Sequence, residues 1–254
     1  LWERAHVAES RPWKKLILES VAIVLSILLA FSIDAWWDNR EDQKARLVLL
    51  QRLQADFEAI KPELESVEKE HAFRQGAARR LLASVSAGDA VAINDQFDTD
   101  IAFTFIGSRT FQPGTGAVDA FVNGEGARLI DNGRLADLLL SWPGLVEELQ
   151  EEEQRLLRIA TDQWTPFLAS RTDLAPFVAI FHRYNPAFGT LPDELFTGST
   201  RLALEADREF LNIALERFTY ESLARRDVAP LIKVVDEILV ELTRGLNKGE
   251  ELWQ

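Results

Sequence analysis

The stretch LILESVAIVLSILLAFSIDAWW, residues 16–37, restricts this chain more than any other, because a run this apolar has few places to go. From Leu16 to Ile33 there are 18 residues with one formal charge, Glu19, at the basic end. At 1.5 Å of rise per residue, the 23 steps from Trp13 to Trp36 cover ~35 Å, a little more than the ~30 Å hydrocarbon layer of a bilayer. Three fates compete: a removable export signal, a core helix of a water-soluble fold, and a permanent anchor. Ala30-Phe31-Ser32 has the small residues of a cleavage site, but the apolar run exceeds a signal core. Against a core helix stand the ends of the segment. Trp13, Trp36 and Trp37 bracket it at the depth where amphipathic rings favour the membrane interface. Lys14 and Lys15 adjoin one end, and Asp34 and Asp38 the other. The anchor is the expected fate. Lipid is then the first partner, the amino terminus is expected in the cytoplasm, and the body in the periplasm of a bacterial inner membrane.

Within the segment Glu19, Ala22, Ser26, Ala30 and Asp34 recur every three or four residues and share one helix face. Small residues at that spacing let two membrane helices approach closely, so this face is a candidate helix–helix interface. The alternative is that Glu19 reaches the headgroups beside Lys15 and that the small residues are incidental.

Charge and composition bound the rest. The net charge is −13, and all of it rests on residues 38–254, because the basic excess of residues 1–15 cancels Glu19 and Asp34. An acidic body repels phosphate backbones, so nucleic acid is not an expected partner. Cysteine is absent, which removes disulfides, thiolate metal sites and cysteine nucleophiles. Methionine is absent too and position 1 is Leu, so the numbering is expected to begin downstream of the translated start. Leu, Ala, Glu and Arg dominate, and the fold class expected is all-α. The domain order expected is a short tail (1–15), a transmembrane helix (16–37), a stalk helix (38–88) and a helical extramembrane bundle (89–254).

No loop signal separates the apolar segment from the residues after it. Leu50, Leu53, Phe57, Ile60, Leu64, Val67 and His71 alternate three and four apart, a heptad stripe for packing. Pairing with a second copy is one use of such a stripe, and packing against its own domain is the commoner one. Pro62 is expected to bend this helix. It should end near Gly88-Asp89, with a short helix or extended piece over 90–112. Thr115 is a candidate cap for the helix GAVDAFVNG, ending at Gly124, and Asp131-Asn132-Gly133 forms a turn before a helix that Pro143 kinks or restarts. The acidic run Glu147, Glu148, Glu151, Glu152 and Glu153 reads as a solvated helix face rather than a calcium patch. Residues 165–200, with Pro166, Pro176, Pro186 and Pro192 among Phe177, Phe181, Tyr184 and Phe188, read as an irregular aromatic cap. Two closing helices are predicted, one over 201–226 and another opening at Pro230 that buries Leu231, Val234, Val235, Ile238 and Leu242.

Catalytic constellations fail on count. Glu68-x-x-His71 has the spacing of a di-iron bundle ligand pair, yet the other histidines are His6 and His182, the latter with Ala179 at i−3. A structural His71 is favoured. Gly114-x-Gly116 with Asp119 lacks a preceding strand pattern, and no Walker loop, serine elbow or zinc-binding histidine pair occurs. No enzyme activity, cofactor or metal is expected.

The motifs FSIDAWWDNR (31–40) and TGAVDAFVNGEGARLIDNGRLADLL (115–139) give the chain a resemblance over some 80 residues. It resembles a widespread bacterial family of uncharacterised single-span membrane proteins, with an apolar amino-terminal helix, an alanine-rich helix, a glycine turn, Leu-Ile and a second helix. Here Glu125 stands between Gly124 and Gly126, one place off the family pattern. The resemblance implies an anchored helical body and supplies no catalytic residues. The expected function is that of a non-catalytic accessory subunit of a larger membrane complex, respiratory and photosynthetic assemblies being candidate hosts. A free-standing envelope sensor that binds a small apolar ligand in its aromatic cap is the second expectation, and a homo-oligomeric scaffold is the third.

Overall fold

The computed structural model describes residues 13–86, 95–105, 110–114, 116–124, 126–184, 187, 189 and 208–251. Every element among them is helical and none is a strand, so the fold is all-α. The elements are α1 (Trp13–Ser86), α2 (Asp95–Phe105), α3 (Gly116–Asn123), α4 (Gly126–Leu129) and α5 (Gly133–Arg158). After these come a π-helical segment (Ile159–Trp164), α6 (Thr165–Ala169), α7 (Ala175–Tyr184) and α8 (Arg208–Glu251).

The helix α1 is unbroken for 74 residues, ~110 Å at the usual rise. Its first part carries the apolar segment and stays exposed. Farther on, Leu50, Leu53, Phe57, Ile60, Leu64 and Val67 are all buried, and the stripe continues through His71, Arg74, Ala78 and Leu81. The partner of this stripe is intramolecular. Leu135, Leu139, Trp142, Val146 and Leu149 of α5 and Ala224, Val228, Leu231, Val235, Ile238 and Leu242 of α8 repeat at the same three-and-four spacing and close one core with it. Lys61 donates to Asp236 at 2.7 Å and Gln75 to Ser222 at 2.7 Å, so α8 runs antiparallel to α1. Arg134 donates to Glu237 at 2.7 Å and Arg155 to Tyr220 at 3.2 Å, so α5 is also antiparallel to α8. Three long helices therefore form the bundle. Each large side chain so buried contributes about 1.5–3 kcal/mol of hydrophobic stabilisation.

At the far end of α1, a second core gathers Phe97 and Ile101 of α2, Trp164, Phe167, Phe177 of α7 and Phe210 of α8 around Leu81. Arg80 holds α2 in place by a two-pronged contact with Asp100, at 2.9 and 2.6 Å. At the near end, α3 and α4 fold against α1. Gly126 is required there, since a Cβ at that position would stand 2.8 Å from Phe121 Cα and 3.3 Å from Leu49 Cδ2. Asn132 starts α5, its side chain accepting from the Leu135 N–H at 3.3 Å.

Several sequence expectations need correction. Pro230 does not open a new helix: α8 is one helix through it. Likewise α5 does not restart at Pro143, and α1 is continuous through Pro62. The physical reason is shared. Pro62, Pro143 and Pro230 all lie on exposed faces, where each ring projects into solvent while the opposite face stays packed. The stretch 165–184 is not irregular but holds α6 and α7, and Val234 is half-buried while Leu231, Val235, Ile238 and Leu242 are buried. From Leu50 onward the expected stalk belongs to the same core as α5 and α8, the commoner of the two uses of its stripe. Over 90–112 a helix, α2, is described. The tail 1–12, Gly88-Asp89, the Thr115 cap, Pro186, Phe188 and Pro192 lie outside the described residues.

Candidate functional site

Two features of this framework stand apart from ordinary bundle packing: an apolar helix with nothing over it, and a charged layer with everything over it.

The window of α1 with a mean hydropathy of 2.5 has none of its residues buried, so this part of the helix takes no share in the core that α1 enters farther on. Leu16 is 60 % exposed, Leu25 60 % and Phe31 66 %. It is the one helix among the described residues long and apolar enough to cross a membrane. Trp13, Trp36 and Trp37 are exposed at its two ends, Lys15 is exposed beside Trp13, and the Lys14 side chain lies outside the described residues. The Arg40 guanidinium lies over the Trp36 ring at 5.5 Å. Glu19, Ala22, Ser26, Ala30 and Asp34 are exposed along one face, as their spacing requires. Ser20, Ser26 and Ser32 each donate to the carbonyl four residues back, at 2.9, 2.8 and 2.7 Å. Those hydroxyls are satisfied by their own helix, the arrangement that a solvent without hydrogen-bonding capacity demands.

The charged layer crosses the middle of the bundle. His71 of α1, Glu153 of α5 and Arg217 and Glu221 of α8 are buried, with Arg74 beside them. His71 Nδ1 is 2.6 Å from Glu221 Oε2, and Nε2 is 3.4 Å from Glu153 Oε1. The other Glu153 oxygen accepts the Phe111 N–H at 2.6 Å, and Gln150 donates to the Phe111 carbonyl at 2.8 Å. Arg217 lies 2.9 Å from Glu221 Oε1 and donates to the Leu156 carbonyl at 3.0 Å. Burial disfavours charge on His71, but its hydrogen bonds to Glu153 and Glu221 and their negative charges outweigh it and raise the imidazole pKa above its ordinary value. Burial also opposes ionisation of Glu221, yet Arg217, His71 and Arg74 together hold its carboxyl below the usual range. Loss of hydration pushes the Arg217 guanidinium down to about 10.

Glu68, the other half of the di-iron spacing, turns away from His71 and pairs with Arg225 at 2.8 Å. No group of metal-binding side chains occurs among the described residues. The acidic run also needs correcting: Glu147, Glu148 and Glu151 are exposed, but Glu153 is fully buried. The signal is present in the spacing. Trp142, Val146, Leu149, Glu153 and Leu156 form one heptad stripe, and Glu153 holds a core position in it. Arg217 and Glu221 sit in the corresponding stripe of α8, between Ala214 and Ala224.

Phe177, central to the supposed ligand cap, is packed in the second core, whereas Tyr184 is exposed and rests edge-on against Phe103 at 5.3 Å. Beside that core is an open cleft of about 710 Å³ lined by Asp162, Gln163, Phe167, Arg208 and Asn212, a mixture of charged and apolar groups.

No family model, curated protein or solved structure matches the chain.

Proposed function

We propose that the chain is a single-span membrane protein and a non-catalytic accessory subunit, in which α1 anchors the helical body to lipid and offers the Glu19–Asp34 face to another membrane protein. One observation carries the reading. The apolar part of α1 is bare over its whole length, yet it runs without interruption into the stripe that α5 and α8 enclose. A free apolar rod fixed to a packed domain is stable in water only if something apolar covers it, and lipid fits its length. Lys14 and Lys15 on one side and Asp34 and Asp38 on the other favour a bacterial inner-membrane location with the body in the periplasm. The apolar helix followed by the α3–α4–α5 corner supports kinship with the anchored family that the sequence resembles. Packing of Phe177 into a core favours this reading over an apolar-ligand sensor, and burial of Leu53 and Ile60 against α5 and α8 favours it over pairing of copies through that stripe.

The test begins with native membranes. The protein should resist extraction by alkaline carbonate and, after solubilisation in mild detergent, co-purify with other membrane polypeptides in fixed ratio. Release by carbonate would remove the anchor, and a monodisperse lone chain would remove the accessory role.

A further inference from the structure

Among the buried groups, His71 has the least freedom of protonation. A neutral imidazole has one N–H and can donate to one neighbour only, leaving its second nitrogen lone pair against the next acceptor. Here both neighbours are carboxylates: Glu221 on Nδ1 at 2.6 Å and Glu153 on Nε2 at 3.4 Å. Only the doubly protonated ring donates to both. The two carboxylates do not depend on it equally. Glu221 keeps Arg217 at 2.9 Å whatever the ring does, whereas the contacts of Glu153 are His71 and the Phe111 N–H. Phe111 itself lies in the irregular segment between α2 and α3, fully buried, with its N–H held by Glu153 and its carbonyl by Gln150.

We infer that His71 is a proton-operated latch: the imidazolium ties α5 to α8 through Glu153 and Glu221, and its loss of the proton loosens Glu153 and the Phe111 segment that Glu153 holds. The other charges around the ring do not replace it. On α1, Arg74 turns to Glu70 at 3.5 Å, and Glu68 is taken by Arg225 of α8. On α5, Glu152 acts on Arg155 and Arg226, and on α8 Arg217 pairs with Glu221 and donates to the Leu156 carbonyl. Deprotonation thus leaves two carboxylates facing a neutral ring in a dry layer, which favours separation of the helices or entry of water. Because the pKa of His71 is raised in the folded chain above the 6.5 of an ordinary histidine, the latch is closed at pH 6.5 and below for as long as the carboxylates stay ionised, and opens as pH rises through the folded value.

The full chain in detergent micelles, with its histidine rings isotopically labelled, provides the test. The chain has three histidines, which keeps ring assignment tractable. The His71 ring should carry both protons at pH 6.5 and titrate above it. Over that same titration the Phe111 amide should lose protection against hydrogen exchange, after correction for the intrinsic rate. In His71→Gln, whose amide is uncharged at every pH and carries no titratable proton, protection at Phe111 should be low and independent of pH. A ring already neutral at pH 6.5, or Phe111 protection that stays constant while the wild-type ring titrates, would overturn the latch, and neither measurement requires a variant that folds. Retention of the wild-type pH dependence by His71→Gln would overturn it as well.

Discussion

Arg217 illustrates how a single side chain can be costly to lose although it was costly to bury. It is a full guanidinium at 0 % exposure, and what justifies it is Glu221 one turn away and the Leu156 carbonyl across the bundle. Arg217→Met keeps the volume and the apolar stem but takes from Glu221 its nearest cation, leaving His71 and the charge of Arg74. A broken buried pair costs about 3–5 kcal/mol, so the variant should show a lower urea midpoint of unfolding with the slope unchanged. Glu221 has its own pH signature. Its carboxyl is held below the ordinary value of 4.5, so the stability it contributes is present above that value and is lost as pH falls through the folded one. Wild-type unfolding followed between pH 3 and 6 should weaken on the acid side, and Glu221→Gln should flatten that limb. At this scale the sequence is only partly legible. The three-and-four spacing puts His71 on the stripe that is buried, but a run of five acids hides which one falls on the buried stripe of α5, and Glu153 reads like its exposed neighbours.

For the helices, spacing is more informative than the residues that usually punctuate them. The stripe from Leu50 to Val67 is visible in the sequence and buried in the fold, while Pro230 reads as the start of a new helix and lies inside α8. Proline ends a helix reliably when both faces need their hydrogen bonds, and α8 is held along one face by α1 and α5 with Pro230 on the other. Since proline in a helix interior is about 3 kcal/mol worse than alanine, and loosening the unfolded chain returns up to about 1 kcal/mol, Pro230→Ala should stabilise the bundle by about 2 kcal/mol. A rise in thermal midpoint would register it. The candidate membrane span makes a different demand. Ser26→Leu adds bulk to the middle of the small-residue face without changing hydropathy for the worse, so insertion should persist while recovery of partners in the detergent pull-down falls severalfold. Unchanged recovery would show that this face meets lipid alone.

The whole molecule divides where burial begins, not where the apolar sequence ends. Gly249 of α8 stands against Leu47 and Gly245 against Leu50, with the Cβ position of Gly245 3.2 Å from Leu50 Cδ1. This places the last described turns of α8 level with the entry of α1 into the bundle. All core residues of both clusters lie at or beyond Leu50. Removal of residues 1–38 should therefore leave a monomeric, helical, water-soluble protein that unfolds cooperatively, with the near-ultraviolet signal of buried Trp142 and Trp164 intact. Aggregation of that fragment would mean that α1 stabilises the body through contacts other than those of the bundle. The bipartite plan is legible because hydropathy is a bulk property, whereas the lateral pairing of α1 with α8 joins residues 150 and 175 positions apart and leaves no local mark.

A seam between a tether and its cargo is commonly a flexible linker, and here there is none. From Trp37 to Ser86 the same rod rises by ~75 Å through the whole height of the body. Any tilt that lipid or a neighbouring helix imposes on its foot is thus delivered undamped to the crown formed by α2 and α7. Under the proposed anchoring the molecule would stand as a mast, its stance fixed by its footing, and a partner that met the crown would have to reach well clear of the bilayer.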